Sequence, residues 1–444
     1  MAGEDGVNRR TFLMGAASAV AMPRMRKPDK LNLVAVGTGG RGADNLHDFE
    51  SCGVNVVALC DCDANRAADS FKRYPDAKQY SDWRRMFDKQ KGYDAVLVAT
   101  PDHNHAIVSV AAMKMGKHVY CEKPLAHSIW EARQMAKAAA DHGVQTQMGT
   151  QGHAYEGTRR AVEVIRSGAL GDVTELHVWT DRPAGWWAQG VTRPTDTPPI
   201  PAGLDWDVWL GPAPKRPYNP AYVPFKWRGF WDFGTGAIGD MGIHNLDTAF
   251  WGLEMGPPTH VEVKDCSPAL TDPAAKETAP LWSIIELQFP SRNGKPPIKM
   301  MWYDGGKLPP TALFQGEPLV SKDGGSLVIG SKGTLFTRTW HGGENAKDMF
   351  VLLPRKQWAD YTPPQTIPRV RSHHQEFVDA CKGQGKPLSN FGYASVLTES
   401  LLLGNVALRA GKPIEWDSAA MRATNCPEAD PYIHPRFRNG WKLG

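Results

Sequence analysis

The sequence predicts an α/β protein: an N-terminal doubly wound parallel sheet, then a C-terminal α/β domain with an open, mainly antiparallel sheet. Three observations predict it. Short apolar runs bounded by glycine alternate with helical stretches from residue 31 to residue 150, the rhythm of parallel strands joined by right-handed crossovers. The first strand runs into "GTGGRG", residues 37–42. Beyond about Tyr155 that rhythm gives way to segments of alternating polarity separated by turn residues.

The elements follow in order. "LNLVAV" is short, apolar and closed by glycine, so it reads as a buried strand, with a helix after it through about Glu50. "VNVVAL", "YDAVLVA", "KHVYCE" and "VQTQMG" are further strands. A helix runs to about Met115, and "SIWEARQMAKAAADHG" is an amphipathic helix stopped by Gly143. The second half opens with the helix "EGTRRAVEVIRSG" and the strand "VTELHVWTDR". A Pro- and Trp-rich passage from Pro183 to Phe233 has little periodicity. Eight of the sixteen tryptophans fall between Trp179 and Trp251. "HVEVKDC", "SIIELQFP", "IKMMWYDG" and "GSLVIGSKGTLFTRT" read as strands, and "YASVLTESLLLGNVALRAG" as a last long helix ending at Gly411. The expected divisions are 1–29, a signal and spacer; 30–150, the nucleotide-binding unit; 151–420, the substrate unit; and 421–444, a tail.

Composition narrows the function. A chain of 444 residues exceeds one ordinary core, and 41% apolar with 22% charged residues is a globular balance. The formal charge of +4 is dispersed, which gives no nucleic-acid footprint. No apolar run reaches the ~18 residues of a membrane span, so a soluble protein is expected. The seven cysteines indicate no disulfide framework, and Cys60-x-Cys62 lacks a second pair for structural zinc. No metal is expected.

Residues 1–29 have the order of an export signal. Arg9 and Arg10 precede "TFL", a short apolar stretch and Ala19-Val20-Ala21. The twin arginines resemble a Tat signal, whose machinery passes folded proteins, so the expected location is periplasmic or secreted.

The chemistry begins at the glycine turn. Gly37, Gly39 and Gly42 follow the G-x-G-x-x-G spacing between strand and helix, with Gly40 and Arg41 beside them. These glycines serve a tight turn, a close approach to pyrophosphate and the packing of helix on sheet. The helix start supplies free N–H groups for phosphate. Asp61 ends the second strand where a carboxylate binds ribose hydroxyls, which favours NAD, while nearby Arg66 leaves NADP open. Thr100, Pro101, His103 and His105 follow the next strand, and Glu122 and Lys123 the one after it. Ligands of open α/β sheets sit at those carboxyl ends. The two histidines fit cofactor contact, a helix cap or a metal; no third ligand stands at fixed spacing.

"GTGAIGDMGIHNLDTAFWGL", Gly234 to Leu253, carries Asp240, His244 and Asp247 at spacings of four and three. On a helix these share a stripe. The stripe is either a solvated outer face or a functional cluster.

Together "GTGGRG", "TPDHNHA", "EKPLA" and "GDMGIHNLD" resemble the Gfo/Idh/MocA oxidoreductases, the family of glucose–fructose oxidoreductase and inositol dehydrogenases. The resemblance implies a Rossmann domain followed by an α/β domain whose open sheet faces the nicotinamide. It also implies that Lys123, Asp240 and His244 form the catalytic set. Gly40, Arg41 and the Trp-rich passage depart from the family pattern.

The residues suit hydride chemistry. Imidazole titrates near neutrality, so His244 fits a general base; Asp240 can orient it or bind a hydroxyl, and Lys123 can polarise the oxygen. Arg182, Trp186, Trp187 and His153 are candidates for binding a sugar or polyol, whose C–H faces suit indoles; plain packing is the alternative for each tryptophan. Asp247 is a further substrate candidate or a helix support, and His373 and His374 could reach the site. Three readings stand: an NAD-dependent dehydrogenase of a sugar, glycoside or cyclitol; a glycoside hydrolase using bound NAD transiently; and a non-catalytic sugar-binding protein. Export would require a tightly held cofactor or an internal cycle that regenerates it. A homo-oligomer is open.

Overall fold

The structure, a computed structural model, describes residues 30–318, 322–338 and 350–443. The export signal expected in residues 1–29 lies outside the described residues.

The first sheet has six parallel strands: β1 (Asn32–Val36), β2 (Asn55–Cys60), β3 (Lys78–Tyr80), β4 (Ala95–Val98), β5 (His118–Glu122) and β6 (Thr146–Gly149). Their spatial order is β3-β2-β1-β4-β5-β6. Every residue of β4 and β5 is buried, as sheets covered on both faces require. Five helices connect the strands: α1 (Arg41–Ser51), α2 (Ala64–Arg73), α3 (Trp83–Lys89), α4 (Asp102–Lys114) and α5 (Ile129–His142). Asp63, Asp82 and Ser128 cap α2, α3 and α5 by accepting from backbone N–H groups of the first turn. The order reverses between β1 and β4, which opens a crevice at the carboxyl ends.

Helix α6 (Glu156–Arg166) leads to β7 (Val173–Thr180) in a second sheet. The Trp-rich passage follows, with the short helix α7 (Trp206–Leu210), and then α8 (Gly236–Gly252). Trp206, Trp209, Tyr222, Trp227, Phe230 and Phe233 form a small core of their own in that passage. The sheet is completed by β8 (His260–Ser267), β9 (Trp282–Phe289), β10 (Ile298–Tyr303), β11 (Gly324–Gly330), β12 (Thr334–Arg338) and β13 (Phe350–Leu353). The chain then forms α9 (His373–Cys381), α10 (Phe391–Ala410), the strands β14 (Ile414–Asp417) and β15 (Arg422–Ala423), and α11 (Asp430–Ile433). The nine strands lie in the order β13-β12-β11-β7-β10-β9-β8-β14-β15. All neighbours are antiparallel except β7 and β10, which pair in parallel with Met301 beside His177.

Helix α8 is buried along its whole length, wedged between the second sheet, α6 and α10. Small residues allow this. A Cβ on Gly242 would stand 2.7 Å from Leu401 Cδ2, and one on Gly404 would stand 2.6 Å from Ile238 Cδ1. The polar stripe of α8 is therefore not a solvated face.

Elements from beyond residue 150 also pack against the first sheet. Phe377, Val378 and Cys381 of α9 complete the first sheet's core with Leu33, Phe49 and Tyr120. Helix α10 packs on α5, where Arg133 makes two 2.7 Å bonds to the Glu399 carboxylate. The unit 30–150 thus lacks two of its own walls. These partners lie more than two hundred residues away in sequence, beyond the reach of local pattern. Helix α10 has the length and composition of a membrane-crossing helix, but 83% of its apolar window is buried inside the protein, as in a core helix. Within the expected tail lie β15 and α11, and Ile433, Trp441 and Leu443 pack against the core.

A fragment ending at residue 150 is expected to show no cooperative thermal transition by circular dichroism; a sharp one would mean this half folds alone. In the full chain, Phe377→Ala is expected to cost about 3–5 kcal/mol in urea denaturation, the range for a fully buried aromatic.

Candidate active site

A cleft of about 490 Å³ runs along the crevice of the first sheet and is closed on its far side by α8 and the Trp-rich passage. That volume lies within the range of about 300–1,000 Å³ for ligand sites.

Its nucleotide half starts at the end of β1. Gly37 has φ +82°, and a Cβ there would stand 2.5 Å from the Ala99 carbonyl oxygen. Gly39 and Gly40 line the cleft beneath the Arg66 side chain, which a Cβ on either would meet at 2.4 Å. Gly42 packs on the Gly37 carbonyl and lies outside the cleft lining. The Asp61 carboxylate accepts from the backbone N–H of Thr38 (2.8 Å) and of Asp63 (3.0 Å). Burial raises its pKa, against those hydrogen bonds. Thr100 and Pro101 line the cleft at the end of β4, and Thr100 Oγ1 is buried with no hydrogen-bond partner. A cradle that admits no side chain, an oriented acid and an unsatisfied hydroxyl fit a dinucleotide, with Gly37, Gly39, Gly40 and Asp61 holding it. Arg41 is turned toward Glu122 (3.3 Å) and Asn45 (3.3 Å), bracing the turn.

His103 and His105 do not reach this cleft. His103 is wedged between the carbonyl oxygens of Phe233 (3.2 Å) and Trp209 (3.0 Å), and burial pushes its pKa down to about 4. His105 lies 2.8 Å from the carbonyls of both Thr100 and Pro124. The first turn of α4 is buried, so both rings serve the backbone around the site rather than a cofactor. Among the described residues, no group of three or more His, Cys, Asp or Glu is placed to hold a metal ion.

The other half of the cleft joins both domains. Lys123 Nζ, at the end of β5, donates to Asp240 Oδ1 (2.8 Å) and to the Asp240 carbonyl (3.1 Å). Arg228 Nε donates to the same Oδ1 at 3.2 Å. Burial alone would raise the Asp240 carboxyl, but Lys123 and Arg228 hold it well below the usual carboxylate range. His244, one turn along α8, lines the cleft, with its Nδ1 3.3 Å from Thr150 Oγ1. Glu122 also borders the cleft, but its oxygens accept from Asn45 (2.8 Å), Gln151 (3.0 Å) and the Lys123 amide (3.2 Å). Burial raises that carboxyl, and Arg41, Asn45 and Lys123 outweigh the effect, leaving it below its ordinary value. Glu122 fixes the strand end from which Lys123 projects.

Of the expected substrate residues, Arg182, Trp186 and Trp187 line the cleft. The Arg182 guanidinium stacks 3.6 Å from the Trp186 ring centre and pairs with Asp181 at 2.5 Å. Trp186 is 49% exposed, while Trp187 is buried and donates to Gln189 Oε1 at 2.8 Å. His153 and Asp247 stand elsewhere. His153 is fully buried, stacks on Trp251 at 3.9 Å and lies 2.8 Å from Asp247 Oδ2; Tyr393 donates to Asp247 Oδ1 at 2.6 Å. Three residues advance a helix by about 300°, so Asp247 diverges from His244 by about 60°. That trio braces α8 against the elements behind it. His373 and His374 also miss the cleft, bonding the Met148 carbonyl (2.9 Å) and Asn45 (2.9 Å).

Arg228 escaped the sequence reading. It lies twelve residues before Asp240 in a passage without periodicity, and no spacing links the two. Phe225 and Trp227 flank its guanidinium at 4.0 and 4.4 Å.

Comparison with known proteins agrees with this geometry. Residues 31–150 match the NAD-binding Rossmann fold of an oxidoreductase family, and residues 157–289 match that family's C-terminal alpha/beta domain. An inositol 2-dehydrogenase of Salmonella paratyphi B is 32% identical over 146 residues, which are 32% of this chain and 43% of that protein. A glycosyl hydrolase family 109 protein of Solibacter usitatus is 28% identical over 174 residues, 36% of this chain and 39% of that one. The chain thus spans about two fifths of the length of these curated relatives. The crystal structure of the WlbA dehydrogenase from Bordetella pertussis, in complex with NADH and UDP-GlcNAcA, superposes with a TM-score of 0.59 at 17% identity, over 87% of this chain and 99% of that one. With a glycine-cradled NAD site in the first domain and a matched second domain closing over it, the chain belongs to the Gfo/Idh/MocA oxidoreductase family.

Proposed function

We propose that the protein oxidises a secondary hydroxyl of a sugar, glycoside or cyclitol, with NAD as hydride acceptor. The observation that carries this reading is convergence: Lys123 from the first domain and His244 from the second line one cleft with the glycine turn. NAD, held by Gly37, Gly39, Gly40 and Asp61, would supply the hydride acceptor. The chain's own residues handle the proton and the position. Asp240 shares one carboxylate oxygen between two cations and is held ionised, so it is a poor proton acceptor. Its task is to hold Lys123 Nζ at the cleft wall, where the ammonium stabilises the oxygen as its proton leaves. His244 takes that proton, imidazole being the group in the site with an ordinary pKa near neutrality. Arg182, Trp186 and Trp187 offer an aromatic and hydrogen-bonding wall for the rest of a sugar.

A second reading shares these parts: transient oxidation followed by elimination of an aglycone, favoured by the likeness to a family 109 glycosyl hydrolase. Incubation with aryl glycosides and no added NAD separates the two. Repeated turnovers of phenol release favour elimination, whereas reduction of added NAD by free sugars favours the dehydrogenase. Export through a Tat-like signal is part of the proposal, and signal-dependent recovery in the periplasmic fraction tests it.

His244→Ala is expected to lower kcat by about 10²- to 10⁴-fold, the contribution of general base catalysis, without weakening NAD binding measured by calorimetry. An unchanged kcat would exclude His244 as the base. The depressed pKa of Asp240 makes a separate prediction. Its ion pairs contribute stability that is present above the ordinary carboxylate pKa of about 3.9 and lost as pH falls below it. Asp240→Asn is therefore expected to lower the melting temperature at pH 7 and to flatten its decline in acid; the same decline in both proteins would contradict the assignment.

A further inference from the structure

The Trp-rich passage does more than wall the substrate side. Just after Asp61, the turn between β2 and α2 is joined to it by several bonds. Ala64 N–H donates to the Gly203 carbonyl (2.9 Å), Asn65 Nδ2 to the Ala202 carbonyl (2.8 Å), and Asp205 N–H to the Cys62 carbonyl (2.7 Å). Asp63 and Leu204 form an antiparallel bridge there. Helix α7 then brings Val208 and Trp209 to the cleft wall. At its far end Asn104 Nδ2 donates to the Trp209 carbonyl (2.9 Å), and Gly211 sits so close that a Cβ would stand 1.9 Å from Asn104 Oδ1. Residues 201–211 are thus a strap tied at both ends along the rim of the nucleotide cleft. Since Asp61 marks the ribose, the strap crosses the adenosine half.

The end of the chain holds this strap from outside. The Arg438 guanidinium donates to Asp207 Oδ1 (2.6 Å), the Asp207 carbonyl (2.7 Å) and the Gly211 carbonyl (2.5 Å), and its backbone N–H donates to the Pro212 carbonyl (3.1 Å). Trp441 stacks on the Arg84 guanidinium at 4.5 Å and lies 6.3 Å from Trp83, which lines the cleft. The last residues therefore bridge the strap and α3 of the nucleotide domain. The Arg438 contacts are polar and made to the strap, whereas Trp441 also packs against the core that Trp83 shares with the first sheet.

We propose that residues 434–443 are a latch which, through Arg438, keeps the strap closed over the adenosine half of the cleft, so that NAD is retained as a non-exchanging group. Arg438 is a positioning residue; it touches the strap, not the cofactor. Affinity set by such a cover appears in the release rate, because the cover must open before the ligand leaves. The inference rests on the NAD site, not on which hydroxyl compound is oxidised.

The test uses the full chain and needs no substrate. Purified protein is denatured and its nicotinamide nucleotide counted; release from native protein is then timed into excess scavenging enzyme. The wild type is expected to carry near-stoichiometric nucleotide. Arg438→Ala is expected to release it about tenfold faster, as loss of a three-bond charge-assisted contact suggests, with the melting temperature of the nucleotide-stripped protein unchanged. Trp441→Ala shifts release in the same direction, and Arg438→Lys, which keeps the charge, restores part of the retention. Equal release rates for wild type and both alanine variants, or wild-type protein purified free of nucleotide, would overturn the proposal. Release that depends on Arg438 in a protein inert toward every sugar would leave the latch standing and remove the sugar reading.

Discussion

The Asp240 carboxylate is the joint on which the site depends. One buried oxygen accepts from a lysine of the nucleotide domain and an arginine of the Trp-rich passage. Removing one partner from such a cluster leaves an uncompensated charge out of water, which is costly. The carboxylate therefore fixes where Lys123 ends, where the Trp-rich passage turns and how α8 sits between them. His244 inherits its place from that arrangement, being one turn along a helix that cannot rotate.

That immobility comes from packing. Helix α8 presents glycines to Leu401 and Ile165, so its backbone lies close against its neighbours. On the opposite side of the site, Glu122 is held by side chains from α1 and from the segment after β6. The same histidine chemistry is used in two ways. All four rings are buried, but His244 lines the cleft, whereas His103, His105 and His153 do not and tie neighbouring groups together. A side chain's chemistry is written in the sequence; the direction in which it points depends on partners far away.

This separates what could be read from the residues and what could not. The strands of the first sheet were legible because each is a short apolar run closed by a turn residue, and the glycine turn with Asp61 located the nucleotide end. Lys123, Asp240 and His244 were named by the family resemblance, and the structure brings them to one cleft. The three-residue β3 and the two-residue edge strand β15 are too short to carry a period. Helix α9 hid its role because Phe377 finds Phe49 and Tyr120 across more than two hundred residues. Arg228, the strap and the latch were invisible for one reason: their contacts are made by irregular chain, where no periodicity marks which side faces in.

In the proposed reaction one carbon would give a hydride to nicotinamide while its hydroxyl proton leaves toward His244. A single-turnover experiment with a sugar deuterated at successive carbons tests it most directly, following nicotinamide absorbance and the label in the released cofactor. Deuterium at one carbon alone is expected to slow the absorbance change and to appear in the reduced nicotinamide. Reduction that proceeds with no label transferred from any carbon would contradict that reaction.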